Sequence, residues 1–120
     1  MLSLGWVAHD LSRDHKPSDK DECQRIVARK GRVEPFKDEN GEFIGPARVW
    51  LKEDDIPGLA MSRSFGDQVA ASVGCIPEPG NKNVFILEIK EWKFTKDDMF
   101  FILASDGVWE FIESDEVIKF

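Results

Sequence analysis

Met99-Phe100-Phe101-Ile102-Leu103-Ala104-Ser105-Asp106-Gly107 is the stretch on which the reading of this chain turns. Six consecutive apolar residues suit a strand buried on both faces, and an acid followed by glycine at its exit suits a turn that carries a site. A carboxylate held at the end of a buried strand is costly to leave unpaired. Asp106 is therefore expected to meet a cation, an arginine or a set of backbone amides. Plain turns also use Asp-Gly, so the functional reading needs the rest of the chain.

Working outward, residues 84–89 alternate well enough for a strand, and Lys96-Asp97-Asp98 is a turn that makes them the antiparallel neighbour of 99–104. Downstream, Ser114 is expected to cap a last helix beginning Asp115-Glu116-Val117-Ile118. Upstream, residues 4–11 read as a short strand leaving through the polar loop Ser12-Arg13-Asp14-His15-Lys16-Pro17. Ser18 then caps a helix over 19–30, with Glu22 as a capping-box partner and Cys23, Ile26, Val27 and the Lys30 stem as its inner stripe. Gly31 ends it. Residues 32–36 form a strand, and Asp38-Glu39-Asn40-Gly41 turns it into a hairpin with 42–46. Arg48-Val49-Trp50-Leu51 is a further apolar segment, 69–76 a helical turn or short strand, and Pro77-Glu78-Pro79-Gly80 a rigid turn.

The 120 residues suffice for one domain with a modest core, and 42% hydrophobic with 32% charged residues is an ordinary globular balance. A net charge of −7 argues against a nucleic-acid binder, which needs a basic face; an acidic chain still handles phosphorylated substrates when metal ions supply the positive charge. Cys23, expected on a mixed-charge helix, and Cys75, expected on an apolar strand, are too few for a zinc site or disulfide scaffold and point to a reducing compartment, cytoplasmic or nuclear. No run of 18 apolar residues exists and the opening residues lack a signal-peptide pattern, so no membrane association is expected.

Several constellations have bland readings beside functional ones. Asp38-Glu39-Asn40-Gly41-Glu42 lacks the ligand spacing of a calcium loop and reads as a turn. Asp14-His15 is an acid–base candidate, although a histidine on a polar loop more often serves as a hydrogen-bonding post. Arg63 and Asp67, astride Gly66, are expected to form an ion pair that shapes their loop. The tryptophans read as packing, with Trp50 and Trp109 nearest a groove.

Taken in order, Ser12-Arg13-Asp14-His15-Lys16-Pro17, Glu22 to Arg25-Ile26, Gly31-Arg32-Val33, Gly45-Pro46-Ala47-Arg48-Val49-Trp50-Leu51, Pro57-Gly58-Leu59-Ala60-Met61-Ser62-Arg63-Ser64-Phe65-Gly66-Asp67 and Phe101-Ile102-Leu103-Ala104-Ser105-Asp106-Gly107-Val108-Trp109-Glu110 closely resemble the metal-dependent serine/threonine protein phosphatases of type 2C, in the style of plant and protist members. The resemblance implies an α+β fold, part of a four-layer αββα sandwich with two central antiparallel β-sheets and a dinuclear Mg2+ or Mn2+ site between them. In that family a metal-activated water attacks the phosphorus of phosphoserine or phosphothreonine in a protein substrate, without a phosphoenzyme.

Under this resemblance the metal-ligand aspartate falls on Asp106, followed by Gly107, and a further acidic position falls on Glu110, where the family more often has aspartate. Asp14, His15, Arg63 and Asp67 are expected to support the site without touching the reacting atoms, and 32–59 to form a loop over its rim. The family's N-terminal acidic pair, its Asp-Gly-His-Gly segment, its phosphate-binding arginine and a later Asp-Asn motif do not occur in residues 1–120. The chain therefore reads as one central-to-C-terminal piece of a catalytic domain, expected by itself to be inactive and to self-associate. Two functions follow: a phosphatase when whole, or a phosphatase-like module that binds phosphoproteins or regulates a partner without catalysis.

Overall fold

The computed structural model describes residues 5–78 and 91–119. Its elements are α1 (Lys20–Ala28), β1 (Arg32–Lys37), β2 (Phe43–Trp50), β3 (Pro57–Leu59), α2 (Gln68–Ser72), α3 (Asp106–Trp109) and α4 (Ser114–Val117). The fold is α+β: the three strands form one antiparallel sheet in the order β1-β2-β3.

The hairpin forms where its turn chemistry places it. Asp38 accepts from the backbone N–H of Asn40 at 2.9 Å and of Glu42 at 2.8 Å, and Gly41 supplies a φ of +84°. This Asx-type bonding shapes the turn. The backbone N–H of Glu42 leads the donors that hold the Asp38 carboxyl below its usual range. Residues 42–46 and 48–51, read as separate segments, merge into one strand because β1 pairs along β2 from Lys37↔Phe43 to Arg32↔Trp50, with a bulge between Glu34 and Phe36.

A small core lies where the sheet meets the helices. Ile26, Val49, Ala70 and Cys75 are fully buried, joined by Val73, with Val33, Leu51 and Leu59 packed on their edge. Each large aliphatic side chain taken from water contributes about 1.5–3 kcal/mol. Gly31 ends α1 and lets β1 approach it, since a Cβ there would sit 2.6 Å from Ile26 Cγ2.

Several expectations change. Residues 5–11 run without regular structure instead of forming a strand. Helix α1 is capped by neither Ser18 nor a capping box: Asp19 occupies the N-cap without a side-chain bond, because Glu22 is drawn to cations elsewhere. Its inward face is Glu22 and Ile26, while Val27 is 56% exposed. Cys75 follows α2 in a buried turn and lies on no strand. Helix α4 opens on a capping box between Glu113 and Glu116, and the Ser114 hydroxyl instead donates to Asp10 at 2.7 Å.

The largest change concerns 99–104. Among the described residues this run joins no ladder, and Phe101 and Leu103 are 63% and 92% exposed. Its expected partner, 84–89, and the end of the 77–80 turn lie outside the described residues. A doubly buried strand needs a hydrogen-bonding neighbour and a covering layer, and the contacts found for the surrounding stretch are slight: Trp6 against Phe100 at 5.4 Å and Phe94 against Phe101 at 5.7 Å between ring centroids. Apolar runs left exposed favour association. The isolated 120-residue chain is accordingly expected to bind a hydrophobic dye strongly and to self-associate in sedimentation; a monomeric, sharp two-state melt with little dye uptake contradicts this.

Candidate functional site

Among the described residues the most heavily bonded carboxylate is Glu22, which is 1% exposed. Arg25, one turn on, gives Oε1 a 2.5 Å hydrogen bond from Nη1 and Oε2 a 2.8 Å bond from Nη2. Arg63 reaches across from the loop after β3 and donates from Nη2 to Oε1 at 2.7 Å and from Nε to Oε2 at 3.1 Å. The Ser62 hydroxyl also donates to Oε2. The two arginines extend the network: Arg25 bonds the carbonyls of Ser62 and Gly74 at 2.8 and 2.9 Å, and Arg63 bonds the Glu78 carbonyl.

Burial pushes the Glu22 carboxyl up, but the donors from Arg25, Arg63 and Ser62 outweigh it and hold the group down at about 2. Helix α1, the 62–63 loop and the turn after α2 are thereby tied to one carboxylate. Fork-shaped guanidinium pairing of this kind fixes direction as well as distance.

The expected Arg63–Asp67 pair is replaced by this arrangement. Arg63 turns to Glu22, and Asp67 caps α2 by accepting from the Ala70 N–H at 3.1 Å. Asp67 adopts a left-handed φ of 49°, which its short polar side chain tolerates, directly after Gly66 at +79°. The two left-handed residues swing the loop into α2.

Asp14 is exposed and pairs with Lys16 at 2.9 Å. The half-buried His15 lends its carbonyl to the Ser62 N–H at 2.9 Å, so the Asp14-His15 segment abuts the Glu22 cluster through backbone. Asp106 begins α3 and Glu110 follows its end, both exposed. A Cβ at Gly107 would meet only Ser105 Oγ, at 3.5 Å. The Trp109 indole donates to the Ala104 carbonyl at 2.8 Å, pinning α3 back on the segment that leads into it.

Among the described residues no three His, Cys, Asp or Glu side chains converge on a common point. A dinuclear centre requires several oxygen ligands from different segments. Asp106 and Glu110 alone do not fit one.

Sequence reasoning missed Glu22. Its signal was present: an acid four residues before Ile26 on the buried face of a helix, with arginine three residues on, and a lone arginine inside the small-residue stretch 59–67.

Residues 1–120 match the family model for protein phosphatase 2C, and the chain belongs to that family. It is similar to "Probable protein phosphatase 2C 12" of Oryza sativa subsp. japonica, 41% identical over 120 residues, covering 99% of this chain and 28% of the relative. It is also similar to "Probable protein phosphatase 2C 65" of Arabidopsis thaliana, 40% identical over 116 residues, 95% of this chain and 27% of that one. A third, "Probable protein phosphatase 2C 35" of Arabidopsis thaliana, is 36% identical, with 93% of this chain and 34% of the relative covered. The chain thus spans about a quarter to a third of the length of these curated relatives. No solved structure matches it significantly.

Proposed function

We propose that the full-length protein hydrolyses phosphoserine and phosphothreonine in protein substrates, using Mg2+ or Mn2+, and that this chain contributes one part of a four-layer αββα catalytic domain. The observation that carries this reading is the family match along the whole of residues 1–120, which includes the Asp106-Gly107 motif. Divalent ions bound in such a centre would supply a water acidic enough to attack phosphorus and would offset charge on the phosphoryl group.

The residues of this chain have more modest roles. Asp106 presents an anionic oxygen at the exit of 99–104 and Glu110 a longer-reaching one; the remaining ligands come from parts of the domain that this chain does not span. Glu22, Arg25 and Arg63 hold the loop of residues 59–67 in place. The 120-residue chain by itself is inactive in this reading. Free Cys23 and Cys75 support a reducing setting, cytoplasm or nucleus. No helix among the described residues is long and apolar enough to cross a membrane.

The test is phosphate release from a phosphothreonine peptide by the full-length protein across a Mn2+ titration. Turnover that vanishes with chelator and returns with Mn2+ or Mg2+ is expected. Tight phosphopeptide binding with no release at any metal concentration would instead establish a non-catalytic binding module.

A further inference from the structure

The β1–β2 hairpin and β3 enclose an open cavity of about 350 Å3 lined by Phe36, Ile44, Arg48, Trp50, Pro57 and Gly58. That is the size of pockets that take a side chain and its neighbours. Its floor is fixed. Trp50 is 7% exposed, and its indole N–H donates to the Glu34 carbonyl at 2.9 Å. The ring lies so close to Gly58 that a Cβ there would stand 2.8 Å from it, and the Arg32 guanidinium sits 5.9 Å from the ring centroid. The walls, by contrast, are open: Phe36 and Ile44 face each other across the strands and are 52% and 53% exposed.

Arg48 stands at the side of this cavity, half-buried, and spends Nη1 on the Gly58 carbonyl at 2.8 Å. Its Nε and Nη2 have no hydrogen-bond or carboxylate partner among the described residues. Arg13, Arg25, Arg32 and Arg63 are each paired with a carboxylate. Glu34, which lies opposite Arg48 in the register, is engaged by Arg32. Neither Nε nor Nη2 of Arg48 is among the buried polar atoms that lack a partner, so the Nε–Nη2 edge is open to an incoming group, and it has the spacing of a carboxylate's two oxygens.

We propose that this cavity docks an extended acidic segment of a partner protein, with one apolar side chain seated among Phe36, Ile44 and Trp50 and an adjacent carboxylate on the open edge of Arg48. The partner is the phosphoprotein substrate itself. That last assignment rests on the phosphatase reading, whereas the docking chemistry does not. The rigid aromatic floor lowers the ordering cost of binding, and the charge next to an apolar anchor gives the site direction along the peptide.

Calorimetry on the full-length protein with an unphosphorylated peptide carrying leucine followed by glutamate tests the docking without catalysis. Ile44→Ser and Arg48→Gln are each expected to weaken binding about tenfold, and replacing the peptide's glutamate with lysine to do the same to the wild type. With the phosphothreonine version of the peptide, both variants are expected to raise KM about tenfold with kcat unchanged, and to hydrolyse p-nitrophenyl phosphate like the wild type. Equal binding of the glutamate and lysine peptides, or variants that bind and turn over peptide normally, overturns the proposal. Peptide binding without any phosphate release leaves the docking site intact and removes the phosphatase reading. A wild-type dimer that Ile44→Ser converts to monomer assigns the cavity to a second copy and also overturns it.

Discussion

Glu22→Ala is expected to destabilise the protein by about 3–5 kcal/mol, the cost of removing the anion from a buried charge network. The variant removes from between Arg25, 18% exposed in its side chain, and Arg63, 11% exposed, the carboxylate that both of them bond. It also strands the Ser62 hydroxyl, in a residue with no exposure. Glu22→Gln keeps the shape but loses the charge, so it is expected to recover only part of the loss. Arg63→Ala costs less, because Arg25 and Ser62 still satisfy the carboxylate. A double-mutant cycle between Glu22 and Arg63 isolates their coupling. Chemical denaturation of the full-length protein checks all three, and an unchanged midpoint for Glu22→Ala contradicts the assignment. Arg63→Ala is further expected to lower turnover together with the midpoint; a raised KM for phosphopeptide with midpoint and turnover unchanged makes Arg63 a substrate contact instead.

The same carboxylate sets an acid limit. Its folded value of about 2 lies below the ordinary 4.5, so the folded state binds its proton less readily than the unfolded chain does. The stabilisation is complete above about pH 4.5 and is lost as pH falls toward 2, amounting to about 3 kcal/mol over that window. A pH series of denaturation curves should show this slope in the wild type and lose it in Glu22→Gln.

What could be read from the residues alone was mostly local. Asp38-Glu39-Asn40-Gly41 specified the hairpin because its turn carries its own hydrogen bonds, and α1 was marked by spacing and by Gly31. The failures were non-local. An apolar run such as 99–104 specifies a strand only when a neighbour supplies the ladder, and among the described residues none does. The partner of Arg63 lies 41 residues earlier, so charge spacing within its own loop pointed to Asp67 while helix geometry brought Glu22 closer. For the candidate site the motif around Asp106 was legible and the hub around Glu22 was not. The first is contiguous in sequence, and the second is assembled from three segments.

Asp106→Asn in the full-length protein is expected to lower phosphatase activity by about 100-fold or more. Asparagine conserves size but replaces an anionic oxygen with an amide, which binds hard divalent cations far less well. The variant is readable because the Asp106 carboxylate has no hydrogen-bond or ion-pair partner among the described residues and lies exposed at the start of α3, so the substitution removes no stabilising contact there. Folding stability should therefore match the wild type while the affinity for Mn2+, measured by calorimetry, falls. Glu110→Ala is expected to cost less, since that side chain reaches one methylene further and follows the end of α3. Activity on a phosphothreonine peptide across a manganese titration discriminates among these outcomes: excess Mn2+ should restore part of the Asp106→Asn loss, whereas near-normal turnover of that variant at limiting metal would mean that Asp106 is no ligand and that the site lies elsewhere in the protein.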